Sequence, residues 1–482
     1  MSSQGKSKSK AIRARLGHPV IDSDGHWREF EPMALDYLRE AAGPKVVEKW
    51  TSRVRALGQG AFTTLTKQER IDQRIGQPPW WALASTNELD MATSFIPRLM
   101  HDRLPDMGLD FAVLYPSSVQ LFAPYVSDDE LRQAGCHAFN QYAAETWVEF
   151  ADRVAPVGVI PMHTPEEALT ELQHCKTLGI KAVALGSLIR RSIPVMERQG
   201  VGRRYACWLD VLALDSMYDY DPVWRTCEEL GYAATFHSAS ENYGLRNSLS
   251  NFVYNHMGHF GEAGNAVCKA LFLGGVTRRF PRLKFAFLEG GVAWGCSLLA
   301  DLIGHWEKRN GKAIHNLNPA NLDRKKLVEF VKQYGEEKML SRWAEYEPLI
   351  SGGLGSALPE ELDDFAACQI EQKKNIYDLF VPHFYFGCES DDPTLTYAFA
   401  KVNPFGAKLG ALLSSDISHF DVPDMTEVLE EAWELVEEKR MSEEDFRLFT
   451  FGNAVKLWTG LNPDFFTGTV VEKEVKQYLA NV

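Results

Sequence analysis

Short apolar runs recur along the chain, and most are followed by a stretch whose apolar positions repeat with helical spacing. The first run, residues 19–21, leads into Asp22-Ser23-Asp24-Gly25-His26. The second, 110–116, precedes a helical stretch over about 128–154, and the third, 155–161, precedes a helix over 165–178. The fourth, 180–186, opens a long irregular loop that ends in a helix near 222–230. The fifth to eighth runs are 233–237, 283–289, 383–387 and 409–416. Eight strand-like runs, apolar on both faces and alternating with helices, predict an α/β fold of the closed parallel (β/α)8 TIM-barrel type. A doubly wound open sheet would carry a glycine-rich phosphate turn after its first strand, and none follows residue 21.

Two long intervals break the rhythm. Residues 28–108 follow the first strand and 291–382 follow the sixth, and both read as helical and aromatic, with Trp80 and Trp81 in one and Trp343 and Tyr346 in the other. Insertions of this length on a barrel are expected to cap its C-terminal mouth, where barrel active sites sit. Contact between subunits is the alternative role, and the two are compatible. Residues 1–18, rich in Ser, Lys and Arg, predict a flexible N-terminal arm, which leaves 19–482 as one domain.

Composition narrows the class. A chain of 482 residues with 45% hydrophobic and 24% charged residues is ordinary for a soluble enzyme. A net charge of -14 disfavours a nucleic-acid-binding surface, and no apolar stretch is long enough to span a bilayer. The N-terminal segment lacks the apolar core of a secretion signal. The eight cysteines are scattered without a C-x-x-C pair, which points to reduced, buried thiols in a cytoplasmic protein rather than a structural zinc cluster. The expected partners are a small-molecule substrate and further copies of the same chain.

The chemistry is concentrated at strand ends. Asp24 and His26 are two apart, so on a strand they share one face. His237 ends the fifth run, Glu289 the sixth and Asp416 the eighth. Left unpaired in a barrel, such groups would be costly to bury. One divalent cation held by Asp24, His26, His237 and Asp416 satisfies all four and leaves a position for water or substrate. His419, three residues after Asp416, is a further catalytic candidate. So is His256, which shares the segment after the fifth run with His259, Asn255 and Arg246. Glu389 stands just after the seventh run. Arg190, Arg191 and Arg246 are the cations best placed to hold an anionic group, and Trp27, Trp80, Trp81 and Trp294 would form an apolar wall.

These motifs resemble the amidohydrolase superfamily, in the branch containing aminocarboxymuconate semialdehyde decarboxylase and γ-resorcylate decarboxylase. The resemblance rests on residues 22–26, Phe236-His237, Phe280-Pro-Arg-Leu-Lys-Phe285, Ser415-Asp-Ile-Ser-His419 and Phe451-Gly-Asn-Ala-Val-Lys-Leu-Trp458. It implies one divalent metal ion on Asp24, His26, His237 and Asp416. The commoner family form has His at the place of Asp24. The acidic form adds a hard oxygen ligand, so Mn²⁺ and Fe²⁺ join Zn²⁺ as candidates. The decarboxylases end the sixth strand in a His-Gly-Gly-like turn, whereas this chain has Glu289-Gly290-Gly291. A carboxylate can shuttle protons but cannot supply the cationic donor that a protonated His offers. The expected function is therefore a metal-dependent hydrolase that directs activated water at an amide, ester, thioester or lactone carbonyl, with Asp416 and Glu289 handling the proton. The alternative is a metal-dependent non-oxidative decarboxylase, hydratase or lyase acting on an aromatic or enoic acid.

Overall fold

Eight parallel strands form the frame, interrupted in chain order by one short hairpin. The computed structural model describes residues 7–55, 62–78, 86–117, 123–202, 206–237, 240, 244–350 and 363–481. The strands are β1 (Ile21–Trp27), β2 (Phe111–Pro116), β3 (Val154–Ile160), β4 (Ala182–Leu185), β5 (Ile189–Ser192), β6 (Cys207–Asp210), β7 (Ala234–Phe236), β8 (Phe285–Phe287), β9 (Phe384–Cys388) and β10 (Gly410–Leu413). The sheet runs β1-β2-β3-β4-β7-β8-β9-β10, every neighbouring pair parallel, while β5 and β6 pair only with each other, antiparallel. The ends meet where Asp416 N–H donates to the Asp24 carbonyl at 3.1 Å and His26 N–H donates to the Ile417 carbonyl at 3.0 Å. The predicted barrel is thus the observed architecture, with all eight runs in place.

Alternation along each strand divides the core into two layers. Ile21, Phe111, Val113, Tyr115, Val157 and Leu412 fill the barrel interior, together with Phe451, Trp458, Phe465 and Phe466 from the C-terminal segment. Those aromatics plug the N-terminal end, and Trp458 Nε1 reaches Ser23 Oγ at 3.4 Å. Ala112, Leu114, Val183, Phe236, Phe285 and Phe386 face outward into the helical layer. With one end plugged by apolar side chains, polar chemistry is left the other end.

The motif at 22–26 lies inside β1 rather than after it. A register shift against β2 between Asp22 and Gly25 adds a residue to the strand. Such a bulge switches the parity of the side chains, so Ile21 and the pair Asp24 and His26 are all directed inward. Gly25 is the residue that permits it. A Cβ there would meet Asp22 Oδ2 at 2.6 Å, Leu114 Cδ2 at 3.0 Å and Ile417 Cγ1 at 3.1 Å.

Three expectations are corrected by the packing. Residues 8–15 of the N-terminal arm form a docked helix, with Ser9 and Ile12 buried, Lys10 paired to Asp106 at 2.7 Å, and Arg13 paired to Asp110. The first insertion divides its work. Its helices Glu31–Ala42 and Pro44–Arg55 lie on the barrel flank, where Tyr37 meets Tyr142 and Trp50 meets Phe139 of the helix Asp129–Trp147. Its later part reaches the loops at the mouth. Asn255 Nδ2 donates to the Gln77 carbonyl at 2.7 Å, and Met425 N–H donates to Asp90 Oδ2 at 2.8 Å. In the second interval, Ala293–Arg309 is the barrel's own helix after β8, and the helices Arg324–Tyr334 and Glu337–Ser341 that follow are largely exposed.

Candidate metal centre

Six side chains from four strand ends converge at the open end of the barrel. Asp24, His26, His237 and Glu289 present donor atoms all within 4.8 Å of one another, and so do His26, Glu289, Asp416 and His419. The two sets share His26 and Glu289, so they describe one centre. His26 Nε2 lies 3.1 Å from His237 Nε2, 3.5 Å from Asp24 Oδ1 and 3.3 Å from Asp416 Oδ1. His237 Nε2 lies 3.0 Å from Glu289 Oε2 and 3.7 Å from Asp24 Oδ1. The ring of His419 stacks on His26 with centroids 3.7 Å apart, and its Nδ1 is 2.6 Å from Asp416 Oδ1.

Backbone geometry directs these groups. His237 directly follows β7, while Glu289 and Asp416 stand two and three residues beyond β8 and β10. Glu289 and Asp416 both adopt left-handed backbone, at φ 55° and 54°. That conformation costs a non-glycine residue roughly 1–2 kcal/mol, so the surrounding contacts must hold it. Asp22 supplies part of that hold. Its Oδ1 accepts from Ser415 N–H at 3.0 Å and from Asp24 N–H at 3.1 Å, and its Oδ2 accepts from Ser415 Oγ at 2.5 Å. Asp22 therefore ties β1 to the segment after β10 and does not enter the centre.

The donor set fits a divalent cation. Asp24 Oδ1 and Glu289 Oε2 are buried oxygens that accept no hydrogen bond among the described residues. A cation bound by neutral imidazole nitrogen and carboxylate oxygen removes the cost of those orphaned atoms. Two residues missed in the sequence steady the candidate ligands. Ser414 Oγ donates to Asp24 Oδ2 at 2.6 Å, and Ser117 Oγ lies 3.3 Å from His419 Nε2. Below the centre, Tyr115 OH donates to Thr235 Oγ1 at 2.9 Å. A serine at a strand end carries no chemical signature of its own, so only the assembled fold shows these roles.

Burial sets the charge states. It pushes Asp24 up to about 8 and raises Glu289 and Asp416 well above the carboxylate range, the last two with help from neighbouring negative charge. It likewise lowers His26, His237 and His419, so the imidazoles stay neutral and ready to ligate. For a carboxyl whose folded pKa is raised, the stability contribution is complete below the unfolded pKa and is lost as pH rises through the folded one. Without a cation the protein should therefore lose stability between about pH 4 and pH 8, while a bound cation takes the place of the protons and prevents that loss. The difference in melting temperature with and without Mn²⁺ is expected to widen steadily from pH 5 to pH 8. A constant difference across that range would mean that these carboxyls do not meet the ion.

Other sequence candidates are placed elsewhere. His256 lies on the rim, stacked on Phe252, with Nε2 3.7 Å from Asp421 Oδ2. His259 is buried against Phe260. Asn255 is buried and bridges Ser248 to Gln77. Glu389 joins Glu289 and Asp421 in a second acidic group at the mouth, and burial first, then Glu289, raises its pKa. Arg191 is a strut for the hairpin, bonded to Asp210 at 3.0 Å, the His163 carbonyl at 2.7 Å and Tyr220 OH at 3.0 Å. Arg246 pairs with Glu262, and Arg190 lies on β5. Neither Arg191 nor Arg246 is thus available as an anion clamp. Trp27 packs on Tyr142 and Trp147, and Trp294 on Phe287 and Phe386, so both are core rather than a substrate wall. Trp80 and Trp81 lie outside the described residues.

No helix among the described residues is long and apolar enough to cross a membrane, and all eight cysteines are free. The 2-amino-3-carboxymuconate-6-semialdehyde decarboxylase of Dictyostelium discoideum is 28% identical over 153 residues, 32% of this chain and 36% of that protein. The chain thus spans about a third of the length of the curated relative it matches. Among solved structures, 2,6-dihydroxybenzoate decarboxylase from Rhizobium is 13% identical, covers 92% of this chain and 99% of its own, and gives a TM-score of 0.46. A dihydroxybenzoic acid decarboxylase from Polaromonas sp. JS666, solved with manganese and 2-nitroresorcinol, is 15% identical over 93% and 99% of the two chains, with a TM-score of 0.48. The amidohydrolase family model matches residues 93–340, just over half of the 482 residues, and spans the strands that deliver His237 and Glu289. By that match, the chain belongs to the amidohydrolase family.

Proposed function

We propose that the protein is a metal-dependent hydrolase acting on a carbonyl group of a medium-sized organic substrate. The observation that carries this reading is Glu289. Its Oε2 lies 3.0 Å from His237 Nε2 within the donor set, at the position where the resemblance places a His in the decarboxylases. A divalent ion held by Asp24, His26, His237 and Asp416 would polarise the carbonyl and lower the pKa of bound water. Glu289 is then the group able to accept a proton on one side of the centre. Asp416 is its counterpart on the other, where His419 Nδ1 at 2.6 Å can pass charge toward Ser117 at the rim. His256 lies further out, beside Asp421, where it would meet the substrate rather than the ion.

Glu289, Glu389 and Asp421 place carboxyl oxygens within 4.8 Å of one another at the mouth, and burial holds Glu289 and Glu389 toward the protonated form, so beside a substrate carbonyl they are groups that can give and take protons rather than a fixed negative charge. The decarboxylase reading rests on the similarity to the Dictyostelium 2-amino-3-carboxymuconate-6-semialdehyde decarboxylase. The two readings separate in one experiment. The Mn²⁺- or Zn²⁺-loaded protein is incubated with matched panels of aromatic acids and of aryl esters, lactones and amides, and CO₂ and free acid are followed. Free acid from the second panel without CO₂ from the first is expected. CO₂ release with no hydrolysis would replace this reading by the second.

A further inference from the structure

A second cluster of ligand-type side chains lies on the outer face of the barrel, away from the mouth. His137 stands on the helix Asp129–Trp147, and Glu171 and His174 stand one turn apart on the helix Pro165–Thr177. Their donor atoms all lie within 4.8 Å of one another. The two imidazole rings stack with centroids 3.6 Å apart, and His137 Nδ1 is 3.5 Å from Glu171 Oε2.

The carboxylate is fixed from behind. Asn140 Nδ2 donates to Glu171 Oε1 at 2.7 Å and to the Val159 carbonyl at 2.9 Å, while Asn140 Oδ1 accepts from Val159 N–H at 2.8 Å. Asn140 is thereby locked to β3, and one Glu171 oxygen is spent on it. The other oxygen is left facing the histidines. An outer amide that orients a ligating carboxylate is a regular part of metal sites. On the opposite side, His174 Nε2 is buried and has no hydrogen-bond partner among the described residues. The His137 side chain is 45% exposed, so the cluster has an entrance from solvent.

We propose that His137, Glu171 and His174 form a peripheral site for a divalent transition-metal ion, with two imidazole nitrogens, one carboxylate oxygen and a solvent position. Two nitrogens and one oxygen suit a borderline ion such as Zn²⁺ or Cu²⁺ and are poor for Mg²⁺ or Ca²⁺. The ion would clamp the helix after β2 to the helix after β3. Without an ion, the bare arrangement is a counterion pair between His137 and Glu171, with His174 stacked on it, and the test distinguishes these two states.

The probe is Zn²⁺ alone, added by equilibrium dialysis to the full-length protein already loaded at its barrel mouth, with metal counted per chain. The wild type should take up one further ion per chain. His137→Gln and His174→Gln should each weaken that uptake at least about tenfold, with turnover unchanged. His237→Ala, at the mouth, should leave the peripheral uptake intact. Should His174→Gln fail to fold, His137→Gln, at a half-exposed ring, carries the test alone. Equal stoichiometry and affinity in the wild type and His137→Gln would overturn the proposal, as would the absence of a further ion on the wild type.

Discussion

Replacing His237 with Ala is expected to strip the divalent ion from the barrel mouth and to abolish turnover with it. The imidazole sits between Asp24 and Glu289, 3.7 and 3.0 Å away, and stands 3.1 Å from the second imidazole of the set. Removing it takes away one of the proposed ligands and leaves two buried carboxyls facing each other across the gap. Loss of a mere outer partner of a metal ligand typically weakens metal affinity about 10–100-fold, so loss of the ligand itself should exceed that range. Stability should fall as well, because an ion present at about 100 times its Kd contributes about 2.7 kcal/mol that the variant forfeits. Metal analysis of purified protein, together with melting curves at saturating Mn²⁺, checks both. A variant that keeps its ion and its melting point would remove His237 from the ligand set.

The Glu289→Gln substitution should have the opposite profile, with metal retained and turnover lost. The amide keeps the size of the side chain and one oxygen near His237, but it cannot accept a proton. General acid–base groups contribute typically about 10²–10⁴-fold to rate, and a kcat reduced by that factor at unchanged metal content is the expected result. The burial that raises Glu289 well above the usual carboxylate range also makes it a base whose strength depends on the ion beside it. Unchanged turnover in the variant would reduce Glu289 to a group that orients His237.

The parts of this design that were legible in the chain are those that composition alone can encode. Parallel barrel strands are buried on both faces, so each announces itself as an apolar run. A charged or imidazole residue where such a run stops is conspicuous, and His237, Glu289 and Asp416 were readable for that reason. What the string could not show was register. The bulge at Asp22–Gly25 puts the motif inside β1 and exchanges its faces, and nothing in the order of residues marks where the pairing slips. The short hairpin of β5 and β6 was hidden because three of the four residues of Ile189–Ser192 are arginine or serine. Cations were the hardest to place. Arg191 finds its partner 19 residues away in Asp210 and Arg246 finds its own in Glu262, contacts that only the folded chain brings together. The N-terminal arm misleads in the same way, since its lysines and arginines are matched by Asp106, Asp110 and Glu430 from distant segments.

The left-handed backbone at Glu289 and Asp416 carries a consequence for how this protein can change. Each position combines an unfavourable conformation with a carboxyl that burial resists ionising, so in the metal-free chain both are local liabilities. Asn tolerates that conformation better than Glu does and, unlike either acid, has no charge to bury. A search for heat-resistant variants that never asks for turnover would accordingly be drawn to these two sites first. It would arrive at a sturdier barrel with an inert mouth, so any effort to harden this protein must screen for activity at every round.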